Sequence, residues 1–83
     1  MASYEKEVAL PDDFVQLVSG TPSTTYECSA RCRGLLIGVG GTINVTMRNG
    51  ETRSGIPVQA GIIPGRFASV LTGGTVQNVW EIN

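Results

Sequence analysis

Thr42-Ile-Asn-Val-Thr-Met-Arg48, followed at once by Asn49-Gly50, is the stretch that decides the fold. Its residues alternate, with Ile43, Val45 and Met47 on one side and Thr42, Asn44, Thr46 and Arg48 on the other, the period-two pattern of a strand with one buried face. Asn-Gly is the strongest short hairpin signal, since both central residues of a type I′ turn need positive φ. A return strand is therefore expected over 51–56, halted by Pro57, which cannot donate a ladder hydrogen bond.

Working outward, the same punctuation recurs. Leu35-Leu-Ile37 is a continuous apolar run of the kind found in a strand covered on both faces, and it runs into Gly38-Val-Gly-Gly41. Residues 58–63 end at Pro64-Gly65, read as a second reversal, and the runs 66–72 and 75–82 read as a strand pair around Gly73-Gly74. On the amino-terminal side, Phe14-Val-Gln-Leu-Val18 reads as a first strand with Phe14 and Leu17 or Val18 inward, and residues 19–23 as a turn cluster. The stretch 26–33 does not decide. The expected fold is all-β: a small β-sandwich or barrel of six to seven short antiparallel strands over 14–83, with an extended N-terminal arm over 1–13. The arm differs from the rest in carrying Glu5, Lys6, Glu7, Asp12 and Asp13 within a few positions of Pro11. Either it is disordered, or Tyr4, Val8 and Leu10 dock on a neighbouring subunit or partner.

Length and charge narrow the function. A chain of 83 residues makes one small domain, and such a domain buries only roughly 60% of its unfolded surface, so oligomerisation would help it. Six basic and seven acidic side chains give a net charge of -1, which supplies no general attraction to nucleic acid or to an anionic membrane. The first residues lack the pattern of a secretory signal and no apolar run nears the ~20 residues that span a bilayer, so synthesis in a cytosol is expected.

The chemistry-bearing residues are sparse. There is no histidine, hence no side chain whose ordinary pKa suits general-base work near neutrality. Glu27, Glu51 and Glu81 are scattered among strand ends and read as solvated charges. Cys28 and Cys32 could be half of a zinc site or a local disulfide, but a tetrahedral site needs four ligands and free cysteine packs as a small hydrophobe. Gly38-Val-Gly-Gly-Thr42 leads into a strand and not a helix, so it reads as a turn or bulge and not a phosphate cradle. Trp80 reads as a core or subunit-interface residue, with a sugar-binding platform as the alternative. No enzyme, metal or cofactor is expected.

The succession of motifs resembles one family. Gly34-Leu-Leu-Ile-Gly-Val-Gly-Gly-Thr-Ile-Asn-Val-Thr-Met47, Asn49-Gly-Glu-Thr52, Val58-Gln-Ala-Gly-Ile-Ile-Pro-Gly-Arg66 and Val70-Leu-Thr-Gly-Gly-Thr-Val-Gln-Asn-Val79 resemble the small spike-base and head-decoration proteins of tailed-phage and gene-transfer-agent capsids. The likeness covers roughly residues 23–83 and departs from the family pattern at the close, Trp80-Glu-Ile-Asn83. It implies a virion structural protein on the capsid surface, a homo-oligomer with the major capsid protein and a spike or fibre protein as partners, and no nucleic acid or membrane. Tyr4, Leu10, Phe14 and Trp80 are the expected oligomer or capsid contacts. A phage neck or tail adaptor and a carbohydrate- or peptide-binding module are the alternatives.

Overall fold

A computed structural model describes residues 13–83. They form eight strands: β1 (Phe14–Val18), β2 (Tyr26–Glu27), β3 (Gly34–Val39), β4 (Gly41–Met47), β5 (Thr52–Val58), β6 (Gly61–Pro64), β7 (Phe67–Leu71) and β8 (Gln77–Ile82). Two four-stranded antiparallel sheets pack face to face, the first in the order β1-β8-β3-β6 and the second in the order β2-β7-β4-β5. The fold is a small β-sandwich, the first of the two all-β architectures expected from the sequence, and not a barrel. The count is eight and not six to seven, the addition being the two-residue β2 in the undecided stretch 26–33.

The core lies between the sheets. Leu35, Ile37, Val79 and Val18 from the first sheet meet Ile43, Val45, Phe67 and Val70 from the second, with Cys32 and Val76 closing the ends. Each fully buried aliphatic side chain stabilises the fold by roughly 1.5–3 kcal/mol. The alternation read in 42–48 holds: Ile43 and Val45 are buried, Met47 packs against the core, and Thr42, Asn44 and Thr46 lie on the other side.

Several connections differ from expectation, each for a physical reason. Only the β4–β5 connection is a hairpin within one sheet; every other link among the described residues crosses from one sheet to the other. Gly73-Gly74 thus joins β7 and β8 across the sandwich, and Pro64-Gly65 carries the chain from β6 to β7 in the opposite sheet. Gly40 does the same between β3 and β4, where a Cβ would lie 2.9 Å from the Val58 carbonyl oxygen and 3.0 Å from Gln59 Cα. Glycine is needed there for close approach of two crossing backbones. At Asn49-Gly50 only Gly50 has positive φ (92°). The Gly50 N–H donates to the Met47 carbonyl (2.9 Å) and the Met47 N–H to Glu51 (2.8 Å), a three-residue loop ending in a bulge glycine and not a type I′ turn. Pro57 does not end the return strand, which continues to Val58. β5 is an edge strand, so one side of its backbone has no ladder to interrupt.

Phe14 is not inward. Gln16 pairs with Trp80 and Val18 with Val79, leaving Leu17 as an extra residue in a bulge. That bulge shifts the alternation by one, so Val18 enters the core while Phe14 faces outward, 44% exposed.

Candidate functional site

Directly opposed residues of an antiparallel sheet share a face, and the registers of the first sheet place Gln16, Trp80, Leu36 and Ile62 in one row across all four strands. The adjoining row is Phe14, Ile82, Gly34 and Pro64. Leu35 and Ile37 point the other way, into the core, so these rows form the outer face of the sheet. That face is apolar: Ile62 is 47% exposed and Leu36 and Trp80 are half-buried. The matching row of the second sheet is Glu27, Ser69, Thr46 and Thr52, all polar. The two outer faces are therefore unequal: the first is apolar in the row through Trp80, Leu36 and Ile62, with Ile82 of the adjoining row already buried, and the second is polar in the row through Thr46, with Leu71 in the row beside it.

Of the residues expected to make contacts, Phe14 and Trp80 lie on this face, on neighbouring strands and in adjacent rows. Tyr4 and Leu10 lie outside the described residues. Leu36 and Ile62 complete the face and were not singled out by the sequence reading. The signal was present in Leu35-Leu-Ile37, a run apolar on both faces, whose outward member is Leu36.

A second cluster sits where the β2–β3 loop meets the end of β8. Glu81 is 2% exposed and not the solvated charge its position suggested. Its Oε1 accepts the Ser29 N–H at 2.9 Å and its Oε2 accepts the Ser29 hydroxyl. The Arg48 guanidinium reaches over from the β4–β5 hairpin and donates to the carbonyls of Ser29 (2.7 Å) and Phe67 (3.1 Å). A buried carboxylate is tolerated only when hydrogen-bonded, and this one pins the loop. β8 is apolar on both sides, at Val79 and at Trp80 and Ile82, so alternation cannot tell which side Glu81 takes.

The same loop carries both cysteines, free, with Cys32 fully buried and Cys28 half-buried. A hydrogen bond between the thiols lowers Cys32 from 9.0 to about 6, against the opposing effect of burial, and raises Cys28. Among the described residues no group of three or more His, Cys, Asp and Glu is placed to hold a metal. No described helix is long and apolar enough to cross a membrane.

Comparison with known proteins returns no match: no family model, no curated protein and no solved structure corresponds to the chain.

Proposed function

We propose that this chain is a structural protein of a phage head, decorating the capsid surface as a homo-oligomer and serving as the base for a spike or fibre. The observation that carries the reading is the apolar outer face of Phe14, Trp80, Leu36 and Ile62 on a sandwich whose opposite face carries the polar row Glu27, Ser69, Thr46 and Thr52. A small domain with such a face gains stability by burying it against a second copy, and a two-fold contact uses the same patch on both subunits. The polar second sheet and the loops stay available to the capsid and to a spike. The order of turns in 34–79, which resembles spike-base and head-decoration proteins, supplies the biological setting. Synthesis would take place in the host cytoplasm before assembly on the particle.

The test is binding to capsids assembled without this chain. Purified protein is expected to sediment as a homo-oligomer and to pellet with the capsids at a fixed stoichiometry. A stable monomer that stays in the supernatant would refute the proposal, and a protein bound only at the portal end of intact particles would make it a neck adaptor instead.

A further inference from the structure

β1 touches β2 on one flank of the sandwich, so β5 and β6, each paired on one side only, are the free edges of the other flank. At the end of that flank a cavity of about 750 Å³ opens between the β4–β5 hairpin and the β6–β7 link, lined by Met47, Arg48, Asn49, Arg53, Ile56 and Arg66. Met47 and Ile56, which pack against the core, make it apolar at depth, and the exposed arginines make its rim cationic. No carboxylate is among the described residues that line it. Arg53 pairs with Val45 and Ile56 with Ile43, both partners being core residues, so Arg53 projects from the inner side of its sheet, where an apolar side chain is the ordinary occupant. One inward charge is enough to protect an edge strand from stray pairing. Here three guanidiniums gather, and the Arg48 N–H, donating to the Arg66 carbonyl at 2.9 Å, sets two of them side by side. Arg48 is committed to the Ser29 and Phe67 carbonyls, beside the buried Glu81 carboxylate. Among the described residues the carboxylate partner of Arg53 is the exposed Glu51 at 3.3 Å, and Arg66 makes no side-chain hydrogen bond or ion pair.

We infer that this groove binds an extended acidic segment of a partner protein, with carboxylates on Arg53 and Arg66 and apolar side chains on Met47 and Ile56. The charge match is direct: a guanidinium presents a planar fork of donors that fits a carboxylate, and both forks stand free at the rim. The apolar floor selects a peptide over a nucleic acid, which offers sugar and phosphate there and needs aromatic rings to stack its bases, and no aromatic side chain lines the cavity. The edge supplies the third element. On the side away from β4, the backbone N–H and C=O groups of β5 have no strand partner, so an extended main chain can lie along 52–54 beside the arginines. Beyond 54 that edge is broken by Gly55, with φ of 66°, and by Pro57, which has no N–H. The contact is thereby confined to the arginine end, and a second copy of β5 is not invited to pair along the whole strand. The inference is independent of the capsid reading, which concerns the outer face of the first sheet.

Fluorescence anisotropy of the full chain with labelled peptides of about eight residues tests it. A peptide alternating Glu and Leu is expected to bind saturably, and less tightly at high salt, which screens the rim. Counterparts alternating Lys with Leu, or Glu with Ser, should bind at least about tenfold more weakly, the first for want of charge complementarity and the second for want of apolar contact. Arg53→Glu and Arg66→Glu, both at exposed positions, should each weaken the Glu–Leu peptide roughly tenfold, the loss of one charge-assisted contact. The doubly reversed protein should gain affinity for the Lys–Leu peptide, a result that a damaged fold does not produce. Equal binding of the Glu–Leu and Lys–Leu peptides, or of the Glu–Leu and Glu–Ser peptides, would overturn the inference. So would an affinity indifferent to both arginine reversals. An oligothymidylate that displaces the Glu–Leu peptide at lower concentration than the unlabelled peptide itself would overturn it as well, by assigning the groove to nucleic acid.

Discussion

Cys28 and Cys32 bracket a turn in which the Cys32 N–H donates to the Ser29 carbonyl at 3.1 Å and the Cys32 thiol to the Gly34 carbonyl at 3.4 Å, and that turn sets the two thiols close enough to couple their ionisation. Sharing one proton favours ionising one member and resists ionising the second, so the two titrate as a pair. The first proton should leave near pH 6, seen as thiolate absorbance in the ultraviolet. Cys28→Ala removes the donor while leaving the burial of Cys32, and the step should move up towards or beyond the ordinary 9.0. A midpoint unchanged in that variant would rule out the thiol contact as the cause. The lowered Cys32 contributes stability that is fully present above 9 and lost as pH falls through about 6; the raised Cys28 contributes stability present below 9 and lost at higher pH. Thermal stability from this pair should therefore rise between pH 6 and 9 and turn over above it. Nothing in the spacing of Cys28 and Cys32 announces this. The contact depends on Ser29 being held by Glu81, a partner 52 residues away.

Glycines serve the strands of this sandwich in two physically different ways, and substitution separates them. Gly50 has φ of 92° with nothing within 4 Å of its missing Cβ, so its requirement is conformational. Gly74 has no such φ, but a Cβ there would lie 2.6 Å from the Thr42 carbonyl oxygen, the atom that accepts Thr75 N–H at 2.8 Å and Val76 N–H at 3.2 Å. Gly50→Ala should cost about 1 kcal/mol, and Gly50→Asn less, because asparagine tolerates left-handed backbone. Gly74→Ala should cost about 1–3 kcal/mol through forced displacement of a neighbouring crossing, and Gly74→Asn at least as much. Urea denaturation of the four variants checks this, and a rescue by asparagine at Gly74 would show the steric account to be wrong. The contrast also explains what the sequence displays of the fold. Strand 42–47 is legible because one of its faces is polar, and the position of the Asn49-Gly50 loop is legible because glycine must follow. Whether a glycine pair marks a hairpin or a crossing is not local information: Gly73-Gly74 and Asn49-Gly50 look equally turn-like, and only the packing of β7 and β8 in opposite sheets distinguishes them. The phase of β1 is hidden in the same way, since the Leu17 bulge is set by pairing with β8.

At the scale of the molecule the two outer faces are unequal, and the apolar one is where assembly is expected. Phe14 and Trp80 were legible as contacts because large aromatics are costly to leave in water; Leu36 and Ile62 join them only once the register of β1, β8, β3 and β6 is known. Their outward position makes them separable from stability. Leu36→Lys or Ile62→Lys places a charge where the isolated sandwich meets solvent, so the thermal midpoint of a dilute sample should change little. Between copies the same charge would be buried in an apolar contact, and losing even one such side chain's burial should weaken association by about 2 kcal/mol, roughly 30-fold in Kd. Thr46→Lys, in the polar row of the second sheet, should leave association unaltered. Sedimentation equilibrium over a concentration series distinguishes the faces. If Leu36→Lys and Thr46→Lys shift association equally, or if the native chain stays monomeric at all concentrations, the outer face of the first sheet does not join copies. The cause of its apolar rows would then have to lie in a different partner.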